Sequence, residues 1–368
     1  MRTTFKTMCV MAVTAGMLGT VTGAPDDVME LGDVGLQSAG SLAFGPEGVL
    51  FIADAKAASV VAVATGDTER AAGGSLTVKG IGKKVAGMLG TTEEDLLIND
   101  LAVNPASGAA YLSVGLGRGP EGKPVLLRVA PGGKISAVDL GSVKHASVSL
   151  ADAPADEVSG EGRRRRNKRM ESITDIAFTD GRVVIAGLSN EEFASTLRTV
   201  DFPFTGGVDA SSVEIYHAAH GKLETSSPIR TFLPMAIDGE PSIVASYTCT
   251  PLVRIPMGEL KPKAHVKGTT VAELGNRNRP LDMIEYSKGG KRFILMANSS
   301  RGVMKVETEG IGEIEGLSER VSGTAGLAYE TVEAMKDVVQ LDKAGDSSAV
   351  LVTRAEGAGA DLVQVALP

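Results

Sequence analysis

The stretch Gly40–Thr65, GSLAFGPEGVLFIADAKAASVVAVAT, decides how the rest of the chain is read. Leu42 to Phe44 alternates apolar and small residues. Gly45-Pro46-Glu47-Gly48 then breaks the pattern with turn formers. Val49 to Ala53 is apolar, and Ser59 to Ala64 is a third apolar run. A short alternating run, a Gly/Pro turn and a second apolar run make a β-hairpin. The question is whether this hairpin stands alone or is one copy of a unit.

It recurs. INDLAVNPASGAAYLSV starts at Ile98, SITDIAFTDGRVVIAGL at Ser172 and FLPMAIDGEPSIVASYT at Phe232. PLDMIEYSKGGKRFILMANS starts at Pro280, and GTAGLAYETVEAMKDVVQL at Gly323, with its partner strand displaced to SSAVLVTR. A third strand follows in SVVAVAT, VLLRVAP, LVRIPM and GVMKVET. Aligning Leu42, Leu101, Ile176, Met235, Met283 and Leu327 gives steps of 59, 75, 59, 48 and 44 residues by subtraction. Radial β-repeats run at about 40–50 residues per blade, so the longer steps carry insertions. AGMLGTTEEDLL, SLADAPADEVSGEGRRRRNKRM and SNEEFASTLRTVDFPFTGGVDASS are the visible ones. Six copies predict an all-β chain, a six-bladed β-propeller with loop insertions between blades. A β-sandwich pair or a β-solenoid is the alternative.

LAFGPEGVLFIADAKAASVVAV, from Leu42, resembles an NHL-type repeat: an inner strand, a Gly turn, an apolar strand ending in Ala-Asp, then a third strand. The later copies lack the Ala-Asp. The resemblance implies the propeller fold. Propellers of this kind include sugar-lactonase-like enzymes, lyases, other hydrolases and pure binding platforms, so it does not choose a function.

Composition agrees with strands. Trp is absent, aromatics are 4% and Gly reaches 45 of 368 residues. Val, Ile, Leu, Ala and Met must build the core, and glycines serve tight turns. At the N-terminus, Arg2 and Lys6 precede an apolar run from Met8 to Val21, and Thr22-Gly23-Ala24 supplies small residues. This is the pattern of a cleaved secretory signal at residues 1–24. It predicts a secreted or periplasmic protein, one propeller domain over 25–368, and no membrane span after cleavage. Cys249 would then be the one thiol of the mature chain, so no internal disulfide forms. The net charge of −8 excludes general nucleic-acid binding, which needs a basic field.

Chemistry in such a fold is expected at the axis. The residues preceding the aligned apolar positions are Ser41, Asp100, Asp175, Pro234, Asp282 and Gly326. Asp100, Asp175 and Asp282 converge on one level and form a candidate site for Ca2+ or another divalent cation. Asn99, Asn278 and Asn298 are available as amide ligands. The alternative is that each aspartate accepts backbone N–H groups and fixes its strand. Lactonase-like propellers use an axial acidic and amide site, which the resemblance implies here. A second candidate is Arg277, Asn278, Arg279, Asn298 and Arg301, in GNRNRPLDMI and ANSSRGVMKV. The guanidinium fork suits an anionic ligand, or pairs with the axial aspartates.

In YHAAHGK, His217 and His220 are three apart. On a strand they point to opposite faces, so they chelate only if a turn falls between them. Cys249 reads as a small core residue. Arg163 to Arg169, in an insertion of about 151–171, reads as an exposed charged loop. SNEEFASTLR carries a helix start signal. The absence of a sharp catalytic motif favours a binding or scaffold module for a protein or small molecule at the channel mouth. A metal-dependent, lactonase-like hydrolase is the alternative, so catalysis is left open.

Overall fold

The computed structural model describes residues 28–71, 73–117, 122–162 and 165–368. The expected signal, 1–24, and Arg163 lie outside them. The described chain is all-β, with strands in several antiparallel sheets. Six hairpin series start from six inner strands: β1 (Leu42–Phe44), β2 (Leu96–Val103), β3 (Asp175–Thr179), β4 (Thr231–Ile237), β5 (Pro280–Lys288) and β6 (Val338–Lys343). Each pairs antiparallel with the strand that follows it.

The opening stretch folds as its residues dictate. Leu42 pairs with Ile52 and Phe44 with Leu50, and Val49–Asp54 pairs onward with Ser59–Ala64. In the connecting turn Gly48 has φ +72, which L side chains rarely adopt, and a Cβ on Gly45 would stand 2.6 Å from the Phe51 ring. Asp54, the acidic residue of the NHL-like pattern, is 1% exposed. It accepts the Gln37 and Ser38 N–H groups, the Ser38 hydroxyl and the Ala57 N–H. It ties the chain entering the sheet to the turn leaving it.

The inner strands stand side by side around a closed circuit: β1, β3, β4, β5, β6, β2 and back to β1. The apolar layers follow the same circuit. Phe51 and Val60 pack against Ile176, Ile185 and Val200 between the first and third sheets. Leu42 and Ile52 pack against Tyr111 and Leu126 between the first and second. Leu112 and Leu127 meet Val350, Val352 and Leu362 between the second and sixth. The second sheet therefore lies between the first and the sixth, out of chain order. After it, Val143–Ser149 returns to pair with Ser59–Ala64, and Glu30–Gly32 adds outside that. The third and fourth series are joined where Asp209–His217 and His265–Glu273 pair in parallel.

Two expectations are corrected. Gly326 and Leu327 do not start the sixth hairpin. Ala325–Gly326 pairs with His265–Glu273, and Tyr329–Thr331 is the outer strand of the fifth sheet. The sixth inner strand is VVQLDK at Val338, which brings Asp342 to the aligned position. SNEEFASTLR is no helix: Ser195–Asp201 is a strand, because its residues pair one for one with Arg182–Leu188. The nine-residue helix Ile81–Leu89 lies in the first insertion instead, with Ile81 and Val85 buried one turn apart. The 151–171 insertion is exposed over much of its length but tethered. Arg198 is fully buried, pairs with Asp152 at 2.9 Å and donates to the Ser172 and Leu188 carbonyls. A guanidinium taken out of water requires such partners. No helix among the described residues is long and apolar enough to cross a membrane.

Candidate functional site: the axial girdle and its funnel

Asp100, Asp175, Asp282 and Asp342 sit on the inner faces of β2, β3, β5 and β6. In β2, β5 and β6 the register slips at residues 98–100, 280–282 and 338–340. Such a bulge re-aims the neighbouring side chains.

The carboxylates bond alike. Asp342 accepts the Lys343 N–H at 2.7 Å and the Val103 N–H, on β2, at 2.7 Å. Asp282 accepts Met283 N–H and, on β6, Leu341 N–H, both at 2.8 Å. Asp100 accepts Leu42 N–H on β1 at 2.6 Å. Asp175 accepts Ile176 N–H, Phe232 N–H on β4 at 2.9 Å, and the Ser41 hydroxyl at 2.7 Å. The carboxylates thus staple β6 to β2, β2 to β1, β3 to β4 and β5 to β6. The Ser41 hydroxyl links β1 to β3. Between β4 and β5 this kind of staple is missing, because Pro234 holds the aligned position of β4. Among the described residues none of these aspartates is paired with an arginine; backbone N–H groups take that place.

Four carboxyls at one waist lose water and crowd one another. Burial, followed by the Asp175 charge, pushes the Asp100 carboxyl well above its usual range. Burial and then Asp100 do the same to Asp282. Burial pushes Asp175 and Asp342 up to about 6.

The waist separates two cavities. One of about 880 Å³ opens toward the ends of the inner strands. The other, about 470 Å³, is lined by Asn99, Thr174, Thr231, Gln340, Arg230 and Arg279, with Asp100, Asp175 and Asp282 at its floor. Arg230 is held by Glu171 at 2.9 Å. Arg279 makes no ion pair among the described residues. Burial and then the neighbouring Arg230 lower its guanidinium from the ordinary value.

The rest of the expected arginine and asparagine group does not line this funnel. Asn278 and Asn298 are buried and bond to each other at 2.9 Å; Asn278 also accepts from Ser300. They clamp the 275–279 loop to the 298–301 turn. Arg301 donates to the Asn276 carbonyl and covers Gly275, where a Cβ would fall 2.6 Å from its guanidinium carbon. Arg277, at φ 57, presents its carbonyl to the Ser300 hydroxyl.

Sequence reasoning missed Asp342 and Arg230. Asp342 was hidden by the misaligned sixth copy, although VVQLDKAGDSSAVLVTR is a hairpin in itself. Arg230 stands two residues before the start of a recognised repeat, and no pattern marks it.

No protein-family model matches the chain, and no curated protein matches it. Among solved structures, the PQQ-bound aldose sugar dehydrogenase from Streptomyces coelicolor is 13% identical, over 91% of this chain and 97% of that one, with a TM-score of 0.35. The hydrazine synthase of Kuenenia stuttgartiensis is 11% identical, over 96% and 99%, at 0.39. A streptogramin B lyase is 9% identical, over 92% and 97%, at 0.35. Likeness at this level assigns neither activity nor ligand.

Proposed function

We propose that the chain is an exported six-bladed β-propeller that binds a small anionic, hydroxyl-bearing ligand in the Arg279 funnel. The circuit of six inner strands and the apolar layers between their sheets support the blade count. The pattern of residues 1–24 supports export. The observation that carries the ligand class is Arg279: a cation at the rim of a polar cavity of about 470 Å³, beside a second cation, without an ion pair among the described residues. A ligand carboxylate or phosphate would complete it bidentately. Asn99, Thr174, Thr231 and Gln340 on the walls, with the carboxyls below, suit hydroxyl groups. The girdle itself is read as structural, since its oxygens already accept N–H groups.

The test is equilibrium binding of a panel of sugar acids and sugar phosphates to the wild-type chain and to Arg279→Ala. At least one member should bind wild type, with affinity reduced tenfold or more in the variant, about 1.4 kcal/mol. Failure of every member to bind, or binding indifferent to Arg279, overturns the reading.

A further inference from the structure

Away from the axis, His217 ends the strand Asp209–His217, and a turn follows at once. The N–H groups of His220 and Gly221 both donate to the His217 carbonyl. This turn brings the two imidazoles together, with ring centroids 3.9 Å apart. Cys249 arrives from the loop before Pro251–Pro256, where it holds φ +69 and its N–H is fixed by the Asn278 carbonyl at 2.7 Å. One ring nitrogen from each of His217 and His220 and the Cys249 Sγ lie within 4.8 Å of one another.

The hydrogen bonds around the cluster set the ring nitrogens. Glu224 engages Nδ1 of His217 through one carboxylate oxygen at 3.1 Å and Nδ1 of His220 through the other at 2.7 Å. An ionised carboxylate only accepts, so each Nδ1 carries its proton and each Nε2 keeps a lone pair. His217 is 2% exposed, yet its Nε2 has no hydrogen-bond partner among the described residues. Glu273, 1% exposed, holds the turn by accepting the Ala219 N–H, and its other oxygen is also unpartnered. Buried polar atoms are nearly always satisfied, and a lone pair left without a donor points to a ligand. Carboxylates that grip the far nitrogen of ligating histidines are the usual outer shell of a metal site.

We propose that His217 and His220, through Nε2, and Cys249, through Sγ, bind a first-row divalent ion of the zinc class, with Glu224 orienting both imidazoles. Two imidazoles and one thiolate suit zinc, whereas oxygen-seeking Ca2+ or Mg2+ is excluded by the donor set. Three protein ligands leave the fourth position to water. His220 is 46% exposed on its side chain, so the ion enters from that side. Glu273 is placed beside His217, 3.9 Å from its Nε2. The site does not depend on the funnel reading.

The experiment is titration of the chelator-stripped full chain with Co2+ and Zn2+. One Co2+ per chain should bind and give a thiolate-to-cobalt absorption band. The band should disappear in Cys249→Ser and persist in Cys9→Ser. Zn2+ affinity should fall at least a hundredfold in His220→Ala, whose exposed position spares the fold, and ten- to a hundredfold in Glu224→Gln. Absence of stoichiometric binding, or binding unchanged in both Cys249→Ser and His220→Ala, overturns the site.

Discussion

The chain gathers ionisable side chains in two places, and the two differ in what is left over. At the axial girdle the oxygens of Asp100, Asp175, Asp282 and Asp342 accept backbone N–H groups from their own strand and from the neighbouring inner strand. At the His217 corner, Glu224 is fully engaged, but Nε2 of His217 and an oxygen of Glu273 make no hydrogen bond among the described residues. The girdle is acidic, central and conspicuous, and its bonds are those of a fastening. The corner is peripheral, and its unused atoms are those of a binding site. Residue type and position favoured the first; the count of unmade hydrogen bonds favours the second. Titration separates them too. Burial raises the girdle carboxyls, whereas Glu224, against the upward pull of its burial, is held at about 2 by hydrogen bonds from His217, His220 and Ser227.

The largest expected effect tests whether the girdle is a fastening. Asp175→Ala strips acceptors from the Ile176 and Phe232 N–H groups and from the Ser41 hydroxyl. Each buried donor left unpaired costs about 1–3 kcal/mol, and loss of an unfavourable buried carboxylate offsets part. A net loss of about 3 kcal/mol is expected in urea unfolding at pH 7. Asp175→Asn, which keeps one acceptor, should lose about half as much. An alanine variant as stable as wild type would show that the staples contribute nothing.

The second effect is in pH. Asp175 and Asp342 have an ordinary value of 3.8 and titrate at about 6 in the folded chain. Between those values the folded state keeps protons that the unfolded state has released. Their contribution is thus fully present below 3.8 and is lost as pH rises through about 6. Each is worth on the order of 2–3 kcal/mol. Asp342→Asn should therefore show a shallower decline in unfolding free energy from pH 4 to 7 than wild type. Parallel profiles would mean that the Asp342 carboxyl is not raised.

Much of this was legible beforehand. Five of the six hairpins follow from alternation and turn chemistry, as do three of the four girdle carboxylates, because both are local properties. Asp342 was lost because the segment from Gly323 mimics a repeat start while serving as outer strands to other sheets. The out-of-order second sheet depends on which apolar faces meet, as Leu112 meets Val350, and no local signal carries that. SNEEFASTLR has helix-start residues, yet pairing with Arg182–Leu188 overrides them. The histidine pair turned on a single condition, a turn after His217. The sequence placed Gly221 and Lys222 there but not the bond from Gly221 to the His217 carbonyl. Cys249 is brought beside them from the next series, 29 residues beyond His220 by subtraction. Spacing rules for metal motifs do not reach so far.

The smallest effect is the sharpest contrast. His220 is nearly half exposed, and Glu224 without it still accepts from His217 and Ser227. In metal-free buffer His220→Ala should change stability by no more than about 0.5 kcal/mol, the usual range for a surface substitution. With Zn2+ at a hundred times its dissociation constant, wild type should gain about 2.7 kcal/mol by mass action. His220→Ala should gain close to nothing at the same concentration. Asp175→Ala should show the reverse: a large loss without metal, and a zinc response still present when its unfolding is followed below its own midpoint. Unfolding curves of the three proteins with and without Zn2+ read both properties. If His220→Ala is destabilised without metal as much as Asp175→Ala, the corner is a fastening like the girdle, and its free nitrogen is an accident of packing.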